Sequence, residues 1–548
     1  MFSRILLRVV VLMLGSANIA HATTMSREQM IENVNVAAIK AHLAFLAHDQ
    51  LQGRDTGEPG HEIASLYIAS QFQQIGLQPG ADDGSFMQRI RFRKSQLEQT
   101  SPSLTLTHEG QEVALQYPSQ YITRPSLTAE QAAVSGELIF VGYGITAPEL
   151  EHDDYAGLDV QGKVVVLLSG KPKWFPSEEG AHFASGRLKS SYAAKRGAIG
   201  MISVSTPTME KVYPYQKALN NLHSPAIGWL DEDNLPANTQ PSIKNATYFS
   251  QEAAQILFQN APTSLADIYA MLEEDKTPKG FPLNTTVDMR KASTFSEITS
   301  PNVVAVLPGS DPKLSKEYVV FTAHSDHIGV AKSVKKDRIN NGAMDNASGT
   351  AVLLETARLF SMMPRPKRSI IFLAVTAEEK GLLGSDYYAR NPTVPIQQIV
   401  ANINLDMPVL LYDFKDIVAF GSAHSDLSET VAQALAKLDM TLSPDPWPEQ
   451  AIFTRSDHYS FVKEGVPAVY IIPGLQGVED GVDGGQIFGQ FLGTNYHMPS
   501  DEFGPEFKDA AIRRFTQVNV LVGEAVANQI NKPAWNEGDF FGNTFAKD

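Results

Sequence analysis

The residues best suited to chemistry lie at the ends of apolar runs between positions 318 and 501 of this 548-residue chain. His324 closes the run beginning at Tyr318, and Asp345 stands between a Gly-containing loop and an apolar helical pattern formed by Val352, Leu353, Thr356, Leu359 and Phe360. Glu378 and Glu379 follow the run 369–375, Asp406 follows the run 399–405, and His497 lies in the Gly-rich loop after the run 467–472. Two histidines and three carboxylates suit a borderline metal such as zinc, with a position left open for water. One carboxylate with two oxygens can bridge two ions about 3.5–4 Å apart, the spacing of two-metal hydrolytic sites. Any one of these residues alone reads as a surface carboxylate or a satisfied core histidine. Their recurrence at strand ends reads as a site.

The elements that must position them are short, continuous apolar runs of four to eight residues, the pattern of strands buried in a parallel sheet. In an open α/β sheet, ligands bind outside the carboxyl ends of the strands, so side chains following four such runs can converge on one crevice. The expected fold class is α/β: a mixed, mostly parallel sheet flanked by helices.

The ordered motifs carry a resemblance. H-x-D at His324, G-A-x-D-N-A-S-G at Gly342, A-E-E-x-G-L-x-G-S at Ala377, N-x-D at Asn404, S-D-H-x-S-F at Ser456 and Y-H-x-P-S-D at Tyr496 resemble the co-catalytic di-zinc aminopeptidases. That family includes secreted bacterial leucyl aminopeptidases, glutamate carboxypeptidase and the transferrin receptor. The resemblance spans most of residues 300–505 and implies a zinc-exopeptidase fold. It implies that His324, Asp345 and Asp406 hold one zinc, that Asp345, Glu379 and His497 hold the other with Asp345 bridging, and that Glu378 is the general base. Asp326 and Asp501 are placed to hold the far ring nitrogens of His324 and His497. Tyr496 is the candidate donor to the tetrahedral oxyanion. Some relatives carry a Tyr three residues before the Ser of S-D-H for that task, and here that position is Phe453.

The remaining sequence frames this site. Residues 1–22 combine Arg4 and Arg8 with an apolar stretch and end in Ala20-His21-Ala22, which reads as a secretory signal, so a periplasmic or secreted location is expected. The apolar stretch is far shorter than the ~20 residues a membrane span needs, so no stable membrane insertion is expected. The formal net charge is −16, or −18 without the two arginines of residues 1–22, a surface that repels nucleic acid and anionic membrane. With no cysteine there is no disulfide, lipidated cysteine or thiol nucleophile.

Residues 23–128 and 291–532 are assigned to a discontinuous catalytic domain, 129–290 to a β-rich insertion that resembles the protease-associated (PA) domain, and 533–548 to a tail. Residues 30–79 read as two helices around a loop, with Ile63, Tyr67, Ile68, Phe72 and Ile75 as the apolar face of the second. His61-Glu62 begins an H-E-x-x-H zinc motif, but Ser65 stands where the second His belongs. Gly142-Tyr143-Gly144 is followed too soon by Pro148 for a dinucleotide-binding helix, and no G-x-S-x-G elbow occurs.

Metal-activated water is therefore the expected nucleophile. Water shared by two zinc ions can be acidified from a pKa of 15.7 toward about 7, and a spare glutamate can carry its remaining proton to the leaving amine. The reading is an exported aminopeptidase that releases N-terminal residues from peptides. Two alternatives stand beside it: a carboxypeptidase-like or amide-deacylating hydrolase of the same fold, and a catalytically silent binding protein. The last predicts a lost ligand or base, and none is missing.

Overall fold

The computed structural model describes residues 27–331 and 336–547. The proposed signal, 1–22, lies outside them. Four strands, Ser369–Val375, Tyr318–His324, Ile399–Leu405 and Ala468–Pro473, lie side by side in that order, all parallel. Nearly every residue in them is buried, which is why they read as unbroken apolar runs rather than alternating ones. Antiparallel partners flank this core: residues 303–307 pair with Ser369–Val375, and Asp416–Phe420 pairs with Ala468–Pro473. Helices Val36–Leu46, Gly349–Met362 and Asp509–Asn528 pack on one another and share one hydrophobic core with the sheet. This is the mixed, mostly parallel α/β architecture expected. Among the described residues, no helix is long and apolar enough to cross a membrane.

Helix Asp509–Asn528 buries Ile512, Phe515, Val518, Val520, Leu521, Val522 and Val526, the face its spacing predicts. Helix Pro59–Gln74 departs from expectation. Its buried face holds His61, Ala64, Ser65, Ile68 and Phe72, while Ile63 is 45% exposed. Polar His61 and Ser65 are inside because each has a partner: His61 Nε2 and Nδ1 lie 3.0 Å from the hydroxyls of Ser325 and Ser300, and Ser65 Oγ donates to the His61 carbonyl. Burial pushes His61 down to about 3, so it is neutral and supports the strand end beside His324.

A second sheet forms the inserted lobe around a core of its own. Its order is Gln111–Leu115, Ser103–His108, the first half of Phe281–Leu307, Gln131–Phe140, Val164–Leu168, Gly200–Val204, Asn245–Phe249 and Tyr121–Thr123. The lobe thus takes in strands from 103–123, ahead of the boundary expected at 129. The cause is the long strand Phe281–Leu307, whose early residues pair with Ser103–His108 and whose late residues enter the catalytic sheet.

A buried histidine fastens the lobe to both the catalytic sheet and the tail. His424 Nε2 lies 2.7 Å from Glu178 of the lobe, and its Nδ1 lies 2.6 Å from Asp539. Burial would lower its pKa, but Glu178 and Asp539 raise it to about 9. The folded chain therefore holds this proton more tightly than the unfolded chain. The contribution is complete below about pH 6.5 and is lost as the pH rises through about 9. His424→Gln is expected to lower stability by on the order of 1–3 kcal/mol at pH 6, with a smaller difference at pH 9.5. Denaturant unfolding at the two pH values measures it, and an equal loss at both would reject the ion-pair account.

Candidate metal centre

The strand ends bring the predicted ligands together. His324 Nε2 lies 3.2 Å from Asp345 Oδ1 and 3.1 Å from Asp406 Oδ1. His497 Nε2 lies 3.2 Å from Asp345 Oδ2 and 3.1 Å from Glu379 Oε2. Asp345 thus turns one oxygen toward each trio. Donors bonded at 2.0–2.1 Å around a tetrahedral ion stand about 3.3–3.4 Å apart, so these separations fit donors sharing an ion.

His327 joins them unexpectedly. It is fully buried, with Nδ1 2.7 Å from Glu379 Oε1, yet neither atom has a hydrogen-bond partner of acceptable angle. His327, Asp345 and Glu379 are close enough to hold an ion, as are His324, Asp345 and Asp406. Glu379 is held between His327 and His497, whose ring centroids are 5.7 Å apart. The signal available in the sequence was its place directly after Asp326.

The electrostatics separate the adjacent glutamates. Burial opposes charge on Glu379, but the His497 and His327 rings hold its carboxyl well below the usual range. Burial, together with the charges of Glu379, Asp406 and Asp457, pushes Glu378 well above that range. The Glu378 side chain is half-buried and has no hydrogen bond among the described residues, whereas the Glu379 oxygens lie 2.7 Å from His327 Nδ1 and 3.1 Å from His497 Nε2. Burial and the Glu379 charge press Asp345 upward, but His324, His497 and His327 hold it below the ordinary aspartate value. So many buried carboxylates demand nearby positive charge, which divalent cations would supply.

Local backbone is specialised here. Left-handed φ values occur at Ala377 before Glu378, at Met407 after Asp406 and at His497 itself. Each costs about 1–3 kcal/mol and persists only where the surroundings enforce it. Gly342 has φ +58°, and a Cβ there would lie 2.6 Å from the His327 ring and 2.3 Å from the Asp345 carbonyl oxygen. Only glycine fits that approach.

The supporting contacts differ from the sequence reading at two positions. The Asp326 carboxylate is 3.9 Å from His324 Nδ1, while the Asp326 carbonyl oxygen is 3.1 Å from it. That carboxylate is occupied instead by the Glu378 amide at 3.0 Å and the Thr56 hydroxyl at 3.1 Å. Asp501 accepts from the amides of Met344 at 2.9 Å and Asp345 at 3.1 Å, so it braces the bridging residue rather than His497. Ser456 Oγ donates to Asp406 Oδ2 at 2.5 Å, and the Tyr470 hydroxyl donates to the Asp406 carbonyl at 3.1 Å.

Arg54 is 1% exposed and donates to the carbonyls of Leu46, Ser325, Asn341 and Gly342. It pins the segments that carry His324 and Asp345. The Tyr496 ring stacks on His497 at 3.9 Å between centroids, and its hydroxyl makes no hydrogen bond among the described residues. Phe453 is buried against His424, His458 and Phe541. A cavity of about 280 Å³ lies behind the site, bounded by Met344, Leu411, Phe491, Asp501 and Phe507, and none of the five ligands lines it.

Residues 302–522 match peptidase family M28. Aminopeptidase YwaD of Bacillus subtilis (strain 168) is 37% identical over 251 residues, which cover 44% of this chain and 47% of that protein. Probable leucine aminopeptidase 2 of Aspergillus oryzae is 27% identical over 283 residues, covering 46% of this chain and 53% of that protein. The chain thus spans about half the length of the curated relatives it matches. The solved structure of an aminopeptidase from Aneurinibacillus sp. strain AM-1 superposes with a TM-score of 0.54 at 19% identity, covering 92% of this chain and 97% of that one, a likeness of fold.

Proposed function

We propose, since residues 302–522 match peptidase family M28, that the chain is an exported zinc aminopeptidase that holds two ions and uses Glu378 as general base. The observation that carries this reading is the division of labour at one carboxylate. Asp345 offers Oδ1 to the His324–Asp406 side and Oδ2 to the His497–Glu379 side, while Glu378 stays spare. His324, Asp345 and Asp406 would hold one zinc, and Asp345, Glu379 and His497 the other, with His327 fixing the far oxygen of Glu379. When bound, zinc supplies a Lewis acid that polarises the scissile carbonyl and acidifies water.

The protein's own groups do the rest. The free Glu378 carboxylate takes the proton of the attacking water and delivers it to the leaving amine, a task suited by burial and neighbouring carboxylates that make it more basic than an ordinary glutamate. Asp326 fixes the Glu378 peptide through its amide. The unengaged Tyr496 hydroxyl is available to the oxyanion. Carboxylates around the site attract the substrate ammonium, which sets cleavage from the amino end. The inserted lobe bounds the approach and supplies none of the five ligands. Residues 1–22 are its export signal.

A leucine anilide, its N-acetyl form and an N-acetylated peptide with a free C-terminus test the reading together. The free anilide should be hydrolysed, and acetylation should reduce hydrolysis by at least about 100-fold, because it removes the charge and adds bulk at the closed end. Rapid cleavage of the acetylated anilide would indicate a deacylase. Cleavage of the acetylated peptide only when its C-terminus is free would indicate a carboxypeptidase.

A further inference from the structure

One cation beside the site pairs with no carboxylate among the described residues. Arg455 follows the turn Ile452–Thr454 and directly precedes Ser456, whose hydroxyl donates to Asp406. Its side chain is exposed, and among the described residues its guanidinium meets no carboxylate and no hydrogen-bond acceptor. Three other arginines have carboxylate partners: Arg514 with Asp413, Arg358 with Glu355, Arg368 with Glu317. The Arg455 guanidinium carbon lies 5.4 Å from the ring centroid of Tyr213, a 42% exposed residue of the inserted lobe. Arg455 thus stands one residue from the side chain that braces Asp406, on the side of the site that faces the inserted lobe.

Charge sets the direction in which a substrate passes it. A substrate ammonium is repelled by a guanidinium and attracted by the carboxylate cluster, so the amino end lies away from Arg455 and the leaving portion runs toward it. A planar fork of five donors backed by an aromatic face recognises a carboxylate. We infer that Arg455, seated against Tyr213, receives a carboxylate of the leaving residue, so that peptides carrying one immediately after the scissile bond are preferred substrates. That carboxylate comes either from the C-terminus of a dipeptide or from an acidic second side chain. The inference rests on the aminopeptidase reading above.

The test compares kcat/KM for leucine anilide, Leu-Gly, Leu-Gly amide, Leu-Asn amide and Leu-Asp amide in the zinc-loaded wild type and in Arg455→Gln. A charge-assisted contact should favour a carboxylate-bearing substrate over its neutral counterpart by about 10- to 100-fold. Leu-Gly over its amide at that ratio, lost in Arg455→Gln and partly kept in Arg455→Lys, supports a terminal carboxylate. Leu-Asp amide over Leu-Asn amide, lost in the same way, supports an acidic side chain. Both ratios within about twofold of unity in the wild type, or a ratio kept in Arg455→Gln, overturns the inference, and the wild-type ratios decide even if a variant misfolds. Failure to cleave the anilide at all would instead strike the aminopeptidase reading.

Discussion

Glu378→Gln should leave a folded, zinc-loaded protein whose kcat for a leucine anilide falls by about 10²–10⁴-fold. The residue is singled out by what it lacks. Glu379 has one oxygen 2.7 Å from His327 Nδ1 and the other 3.1 Å from His497 Nε2, whereas the neighbouring Glu378 side chain lies against no such ring and has no hydrogen bond among the described residues. Its backbone is independently fixed, since its amide donates to Asp326 and its carbonyl accepts from Gly381 and Leu382. An amide of the same shape therefore preserves the loop and removes only proton acceptance. Zinc content measured beside turnover separates this from loss of a ligand. A glutamine variant that keeps wild-type turnover, or that loses its metal, would remove Glu378 from the role of base.

Asp345→Asn should weaken both ions together. The carboxylate faces His324 with one oxygen and His497 with the other, both at 3.2 Å, so a neutral amide withdraws a negative donor from each side. Altering a residue that merely orients a ligand costs about 10–100-fold in metal affinity, and loss of a shared ligand should cost at least that for each ion. Zinc titration followed by equilibrium dialysis should find neither site retained at wild-type affinity, and activity should fall by at least 10³-fold or so. Thermal unfolding confirms that the variant is folded. Full retention of one tight ion would show that Asp345 serves a single site.

The parts of this molecule that recur along the chain were legible in it. The runs ending at His324, Val375 and Leu405 are buried on both faces, and the same burial that makes them strands makes them continuously apolar. Three of the five ligand candidates, His324, Glu379 and Asp406, follow because each stands at or just beyond such an end. What escaped depends on contacts between distant segments. Arg54 reaches Asn341 across 287 positions, and nothing in Gly53-Arg54-Asp55 announces that its guanidinium binds carbonyls of the loops around the site. Asp501 and Asp326 were expected to orient histidine rings, but the nearest unpaired donors were main-chain amides and a hydroxyl. The lobe boundary was placed late because a single strand, Phe281–Leu307, serves two sheets, and strand partners are not encoded in local periodicity.

The central claim is that Asp345 is shared between two ions, and counting zinc in the wild-type protein tests it most directly. Metal-free protein titrated with zinc and analysed by equilibrium dialysis with elemental analysis should bind two ions per chain, with full hydrolysis of leucine anilide reached only when both are bound. Saturation at one tightly held ion with full activity would contradict the account.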